Sequence, residues 1–303
     1  MTGGAVGSED DRGENVERRP PEWMRGDVVR CRGYRTAGVQ RPRVTLPSAA
    51  VTLLVGWGEP LYVRQGLGDA EREGTRHAMI AGLQTAPVVA GYRGSGHAVE
   101  VEFTAVGAFR FFGLPLHLLA NAAAHPDEAM GPGWTARFTE RLAEAPDWSA
   151  RWAVVDAVLG PRLADAPPAT DLAVEAWQRL RDAHGGLTAR ELAAATGRGE
   201  RRLQHVFRDH VGVPPKTLSR ILRFQRALTL SGFGDLTLAD VAARSGYHDQ
   251  AHMNRDFRAL SGRTPGELRG IAGRLSAPGP GRAAAAREAG CFSDFFEPDI
   301  ADW

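Results

Sequence analysis

The densest chemistry in this 303-residue chain is cationic and lies between positions 187 and 273. That segment holds fourteen basic side chains against eight acidic ones, a net +6, which leaves −5 on the remainder of a chain that sums to +1. Positive charge gathered on one stretch suits a polyanionic partner engaged by that stretch alone. Lys216 is the single lysine; every other basic side chain is arginine. Groups suited to covalent or metal chemistry are scarce by comparison. Cys31 and Cys291 are too few and too far apart for a disulfide framework or a thiolate metal site, which fits a reducing compartment. His77, His97, His117 and His125 lack the His-x-His or His-Glu-x-x-His spacing of a metal site. Neither a Gly-x-Ser-x-Gly elbow nor a phosphate-cradling glycine loop occurs. No catalytic residue, metal or cofactor is therefore expected, and the chain does not read as an enzyme.

The cationic segment contains an internal repeat. Residues 187–215 carry Leu-Thr, Glu191-Leu192-Ala193, Gly197, Phe207, Gly212 and Pro215; residues 236–265 carry Leu-Thr, Asp240-Val241-Ala242, Gly246, Phe257, Gly262 and Pro265. The offset is 49 residues up to the turn glycine and 50 beyond it, so the second copy has one extra residue in its turn. In each copy an alanine-bearing short helix can pack closely on its neighbour, and a glycine permits the positive dihedral angle of a sharp turn. A second helix follows, with Leu203, Val206 and Phe207 on its apolar side in one copy and Met253 and Phe257 in the other. Thr188 with Glu191, and Thr237 with Asp240, have capping-box spacing. Thr264, Pro265 and Glu267 supply a cap, a helix-compatible proline and an N3 carboxylate in order. This is helix-turn-helix logic, twice. Between the copies, residues 216–231 place Leu218, Ile221, Leu222, Gln225, Leu228 and Leu230 at helical spacing. About 16 helical residues span roughly 24 Å, a strut suited to two readers about one DNA turn, near 34 Å, apart.

From 171 to 269 the chain resembles the AraC/XylS family of bacterial transcription regulators: both copies, the connecting helix and both Gly-x-x-Pro endings occur in order. The stretch Gly246-Tyr247-His248-Asp249-Gln250-Ala251-His252-Met253-Asn254-Arg255-Asp256-Phe257 is similar to the family's second recognition element. The first turn departs from the pattern, with Gly197-Arg198-Gly199-Glu200 where the family usually has an apolar or aromatic residue and then a serine cap; Gly199 can still cap. Carried over by position, the resemblance implies base contacts from Arg201, Gln204 and His205 in the first copy. In the second it implies Gln250, Ala251, His252, Asn254 and Arg255. Arginine can grip guanine, glutamine and asparagine can grip adenine, and alanine can touch a thymine methyl. Arg198, Arg202, Arg208, Lys216, Arg223 and Arg258 are expected on phosphates, which position a protein without reading sequence. Double-stranded promoter DNA is then the partner, and RNA polymerase, a small-molecule effector and a second copy of the chain are compatible further ones. The rival class is an enzyme, such as a DNA-alkylation-repair methyltransferase, that uses the helix-turn-helix region for targeting. Its zinc-bound cysteine cluster cannot be built with Cys31 alone in the amino-terminal domain.

The elements that position these groups divide the chain. The expected fold is α+β: an N-terminal β-rich sandwich or barrel followed by helices, then an all-α domain of two helix-turn-helix units joined by a long helix. Residues 1–25 are polar and read as a disordered tail. Residues 26–163 form a regulatory, sensor or dimerisation domain, with strand alternation at Val99, Val101 and Phe103 and then helical segments punctuated by Pro115, Pro126, Pro132, Pro146 and Pro161. Residues 164–170 read as an interdomain linker, 171–273 as the DNA-binding domain expected to fold by itself, and 274–303 as a largely disordered tail. Trp57, Tyr62 and Tyr92 either line a pocket or fill a core, and no effector-binding residue is assigned. No apolar run approaches the roughly 20 residues of a membrane helix, and the protein is expected in the cytoplasm.

Overall fold

The computed structural model describes residues 14–36, 43–65, 72–92, 94–232 and 236–274, and the architecture is α+β. Its strands are β1 (Glu14–Arg18), β2 (Val28–Arg35), β3 (Arg43–Thr45), β4 (Ala50–Gly58), β5 (Leu61–Gln65), β6 (Arg72–Arg76), β7 (Ala78–Ala81), β8 (Val88–Tyr92), β9 (Gly96–Thr104) and β10 (Ala123–Ala124). They form a six-stranded sheet, β1-β2-β9-β4-β7-β10, and a four-stranded sheet, β3-β8-β5-β6. The register explains why two sheets pack: Val51, Leu53 and Val55 lie opposite Phe103, Val101 and Val99, so one face of the larger sheet is a continuous apolar surface. The other face meets the smaller sheet, where Leu54, Met79 and Ala98 cluster with Leu61, Val63 and Tyr92. The arrangement is a two-sheet sandwich. Arg30 and Glu102 are cross-strand partners in it, 2.6 Å apart and each 6% exposed, and Arg32 pairs in the same way with Glu100. Charges buried this deeply persist because each carries its counter-ion.

Helices cover the apolar face of the larger sheet. Strand β9 runs directly into α1 (Ala105–Phe112), whose N-cap Thr104 accepts from the Gly107 amide. Then come α2 (Pro126–Met130), α3 (Trp134–Glu144) and α4 (Trp148–Asp165). Phe111, Phe112, Phe138, Leu142, Trp152, Val155 and Leu159 complete the core over Val101 and Phe103.

Three expectations are corrected here. Residues 14–25 are not a disordered tail: β1 pairs with β2 at the sheet edge, Met24 in the turn Glu22–Met24 is fully buried, and Arg18 donates twice to the Asp156 carboxylate on α4. Pro161 does not end a helix but lies inside α4. The linker shortens to 166–170, and Ala169 within it is buried in the core. Residues 1–13 and 275–303, expected to be tails, lie outside the described residues.

The carboxyl-terminal helices are α5 (Asp171–Asp182), α6 (Ala189–Ala195), α7 (Glu200–His210), α8 (Pro215–Gly232), α9 (Leu238–Arg244), α10 (Gln250–Ser261) and α11 (Pro265–Arg274). The first of them share the amino-terminal core: Trp177, Leu180, Leu192, Leu203, Phe207 and Val211 belong to the same apolar cluster as Phe111, Phe112 and Leu116. Around Ile221, Phe224, Met253, Phe257 and Leu268 a second cluster forms, joined by Val44 and Val89 of the smaller sheet and by Leu46 just after β3. Excising residues 171–273 would uncover both surfaces. At the end of α7 the His210 ring stacks on Phe109 of α1 at 4.0 Å, and His117 Nδ1 lies 3.5 Å from Asp209. A Cβ on Gly212 would stand 2.8 Å from the Leu116 carbonyl oxygen, so glycine is what allows this approach.

Burial pushes the His210 imidazole below its ordinary value of 6.5, against smaller upward pulls from the Val206 carbonyl and Asp209. The unfolded chain then binds the proton more readily than the folded one, so stability is full above about pH 6.5 and falls as the pH drops through that value. His97 and His184 are pushed the same way. The melting temperature of the full chain is expected to fall between pH 8 and pH 5.5, and less steeply in His210→Gln. An identical pH slope in the two proteins would show that the His210 stack is not acid-sensitive.

Candidate nucleic-acid interface

Each short helix starts on a reciprocal cap: Thr188 and Glu191 open α6, Thr237 and Asp240 open α9, and Thr264 and Glu267 open α11 in the same way. The three carboxylates are held below their ordinary values by backbone and hydroxyl donors of the paired threonines. The turn glycines Gly197 and Gly246 adopt φ of 64° and 76°, a region only glycine enters without strain. One residue lies between Gly197 and the N-cap Gly199, and two lie between Gly246 and the N-cap Asp249. That is the structural origin of the shift from 49 to 50 in the repeat. The caps differ too: Asp249 accepts the His252 amide at 2.6 Å, whereas Gly199 offers no side chain.

The second helices of the two units bury one side and open the other. In α7, Leu203, Val206, Phe207 and His210 are inside while Arg201, Arg202, Gln204, His205 and Arg208 are exposed. In α10, Met253, Asp256, Phe257 and Leu260 are inside while Gln250, Ala251, Arg255 and Arg258 are exposed. Arg198 and Lys216 are exposed as well. Side chains expected to reach bases are thus brought together on the free side of each helix. Two of that set are half-buried: His252 meets the Tyr247 ring edge-on at 5.2 Å, and Asn254 has a buried Oδ1. His205 Nε2 lies 3.6 Å from Asp209 one turn further on.

Arg223 differs from the other expected phosphate contacts. Its side chain is only 16% exposed, it donates to the Gly185 carbonyl at 3.1 Å, and its guanidinium lies over the Tyr247 ring at 5.4 Å. Asp256, Arg220 and Tyr247 were not singled out from the sequence. The available signal was a carboxylate at a core position, between Met253 and Phe257 on one side and Leu260 on the other.

Residues 192–270 match the family model described as a helix-turn-helix domain. A curated relative, the F1 operon positive regulatory protein of Yersinia pestis, is 34% identical over 80 residues, which is 26% of this chain and 27% of the relative. Among solved structures, ToxT from Vibrio cholerae aligns over 79% of this chain and 97% of its own, with 10% identity and a TM-score of 0.41. A 7S globulin from Momordica charantia aligns over 33% of this chain and 32% of its own, with 9% identity and a TM-score of 0.26.

The twin caps make a simple stability prediction. Thr188→Ala and Thr237→Ala each remove a hydroxyl that accepts the N3 amide, and each is expected to cost about 1 kcal/mol in urea unfolding. A loss below about 0.3 kcal/mol for both, within the range of neutral surface changes, would show that packing alone starts these helices.

Proposed function

We propose that this chain, whose residues 192–270 are an AraC-type helix-turn-helix domain, is a sequence-specific DNA-binding transcription regulator. The observation that carries the reading is the pair of second helices, each buried on its apolar side and presenting arginine, glutamine and other polar groups on the other. Such a face matches the donor and acceptor pattern of the major groove, and two of them suit adjacent groove segments. In this reading Arg201, Gln204, His205, Gln250, Ala251, His252, Asn254 and Arg255 contact bases. Arg198, Arg202, Arg208, Lys216 and Arg258 hold phosphates. The amino-terminal sandwich controls the reader by taking a small molecule or by pairing with a second copy, and RNA polymerase is the partner through which a promoter-bound regulator acts in the cytoplasm.

The repair-enzyme reading is less well supported. Cys31 is fully buried in the sheet core, and burial pushes its thiol up to about 12, whereas an acceptor thiol needs ready ionisation. Among the described residues no three His, Cys, Asp or Glu side chains gather as metal ligands would, and no helix is long and apolar enough to cross a membrane.

Fluorescence anisotropy on duplexes selected from a random pool tests the assignment. Arg255→Ala is expected to cost about 1–3 kcal/mol and to relax selectivity at one or two base pairs. Lys216→Ala should weaken every sequence alike and lower the salt slope by about one unit. Uniform weakening by Arg255→Ala together with altered base preference in Lys216→Ala would reverse the two roles. Affinity that does not fall between about 50 and 200 mM salt would remove DNA as the partner.

A further inference from the structure

Arg223 sits where three separately read parts of the reader converge. Its guanidinium donates to the carbonyl of Gly185, in the loop that enters the first helix-turn-helix unit. It also covers the ring of Tyr247, in the turn of the second unit. A third contact places it 3.7 Å from the carboxylate of Asp256, on the second unit's exposed-face helix α10, and Arg220 Nε holds the other oxygen of that carboxylate at 2.8 Å. Asp256 is 9% exposed, so its charge is compensated by these arginines of α8 rather than by water. The backbones close in around the same point. A Cβ on Gly185 would lie 2.3 Å from the Ser219 carbonyl oxygen of α8, and a Cβ on Gly246 would lie 3.5 Å from Arg223 Cδ and 3.8 Å from the Gly186 Cα.

We propose that Arg223 and Asp256 are positioning residues that lock the two helix-turn-helix units in one relative orientation, so that the protein measures the spacing between two DNA boxes as well as their bases. The proposal rests on the DNA-reading function above. On B-DNA one added base pair rotates the second box by about 35°. A locked pair of readers cannot follow that rotation and loses its contacts to one box, whereas units free to swivel on α8 can. Neither side chain need touch DNA for this role.

The full chain is used to select from duplexes carrying a randomised segment of about 30 base pairs, and the enriched motif is rebuilt with its spacer lengthened or shortened by one base pair. For the wild type, the changed spacer is expected to weaken binding about tenfold or more, comparable to a mismatched base pair. For Arg223→Gln and Asp256→Asn the penalty should fall below about threefold, with the preferred bases inside each box retained. Two variants are used so that the loss of one fold still leaves a folded test. A wild-type spacing penalty kept by a folded variant overturns the proposal. So does weakening by one common factor at all spacings, which would make Arg223 a phosphate contact. Loss of cooperative melting in both variants overturns it as well, because the cluster would then serve stability alone. A wild-type selection with no two-box motif removes the DNA-reading premise instead, a result distinct from a motif whose spacing penalty is unmoved.

Discussion

The helix-turn-helix half depends on one helix that is buried on more than one side. Along α8, Leu218 belongs to the apolar cluster of the first unit, while Ile221, Phe224, Ala227 and Leu228 belong to that of the second. Phe224 meets Phe257 edge-to-face at 4.7 Å, and Ser219 Oγ reaches the Leu187 carbonyl at 3.3 Å. A helix of 18 residues is a rod about 27 Å long. Whatever packs on both of its sides inherits a separation set by its length. The polar faces of α7 and α10 are useful only because their apolar faces are committed to this shared support.

Support of a second kind comes from the amino-terminal half. Only five residues, 166–170, separate α4 from α5, and Ala169 among them is buried, so the two halves are docked rather than tethered. The apolar cluster that starts on the larger sheet passes through Phe111 and Phe112 of α1 to Trp177, Leu203 and Phe207. Burial of that continuity ties the stability of the first unit to the sandwich beneath it.

Much of the helical part was legible because its signals are local. Threonine three residues before a carboxylate, a turn glycine, and apolar residues three and four apart each report on structure within one or two turns. The same rules misread residues 14–25, since β1 is an edge strand whose Glu14, Asn15, Glu17 and Arg18 give it the composition of a solvated tail. Its order comes from pairing with β2 and from the Arg18–Asp156 contact, partners 138 residues apart. Pro161 misled in the opposite direction. A proline near the end of an 18-residue helix is tolerated where packing on Leu159 and Leu163 holds the segment. Which of the cationic groups face solvent was likewise only partly legible. Arg223 and Arg258 look alike in sequence, yet one is turned toward Gly185 and Asp256 while the other is exposed. Long-range packing decides between them, and no local pattern contains it.

The two units solve the same problem with unequal means. Helix α10 is capped by Asp249, closed by Gly262 in the left-handed conformation and fastened through Asp256 to Arg220. Helix α7 has no side-chain cap, and its C-terminal turn instead carries Asp209 and His210 against His117 and Phe109 of the amino-terminal half. The cap and the ion pair of α10 are therefore internal to the carboxyl-terminal half, while α7 takes the corresponding part of its order from the domain that precedes it. The turn Leu116–Leu118 lies directly against the end of α7, because Gly212 leaves no side chain between the Leu116 backbone and that helix. Coupling between two halves requires a contiguous physical connection with an element at each end that can be biased. In this chain one such connection runs through the apolar seam of α1 into α7, the less strongly capped of the two helices, and a second joins Val44, Leu46 and Val89 to the cluster around Phe257 of α10.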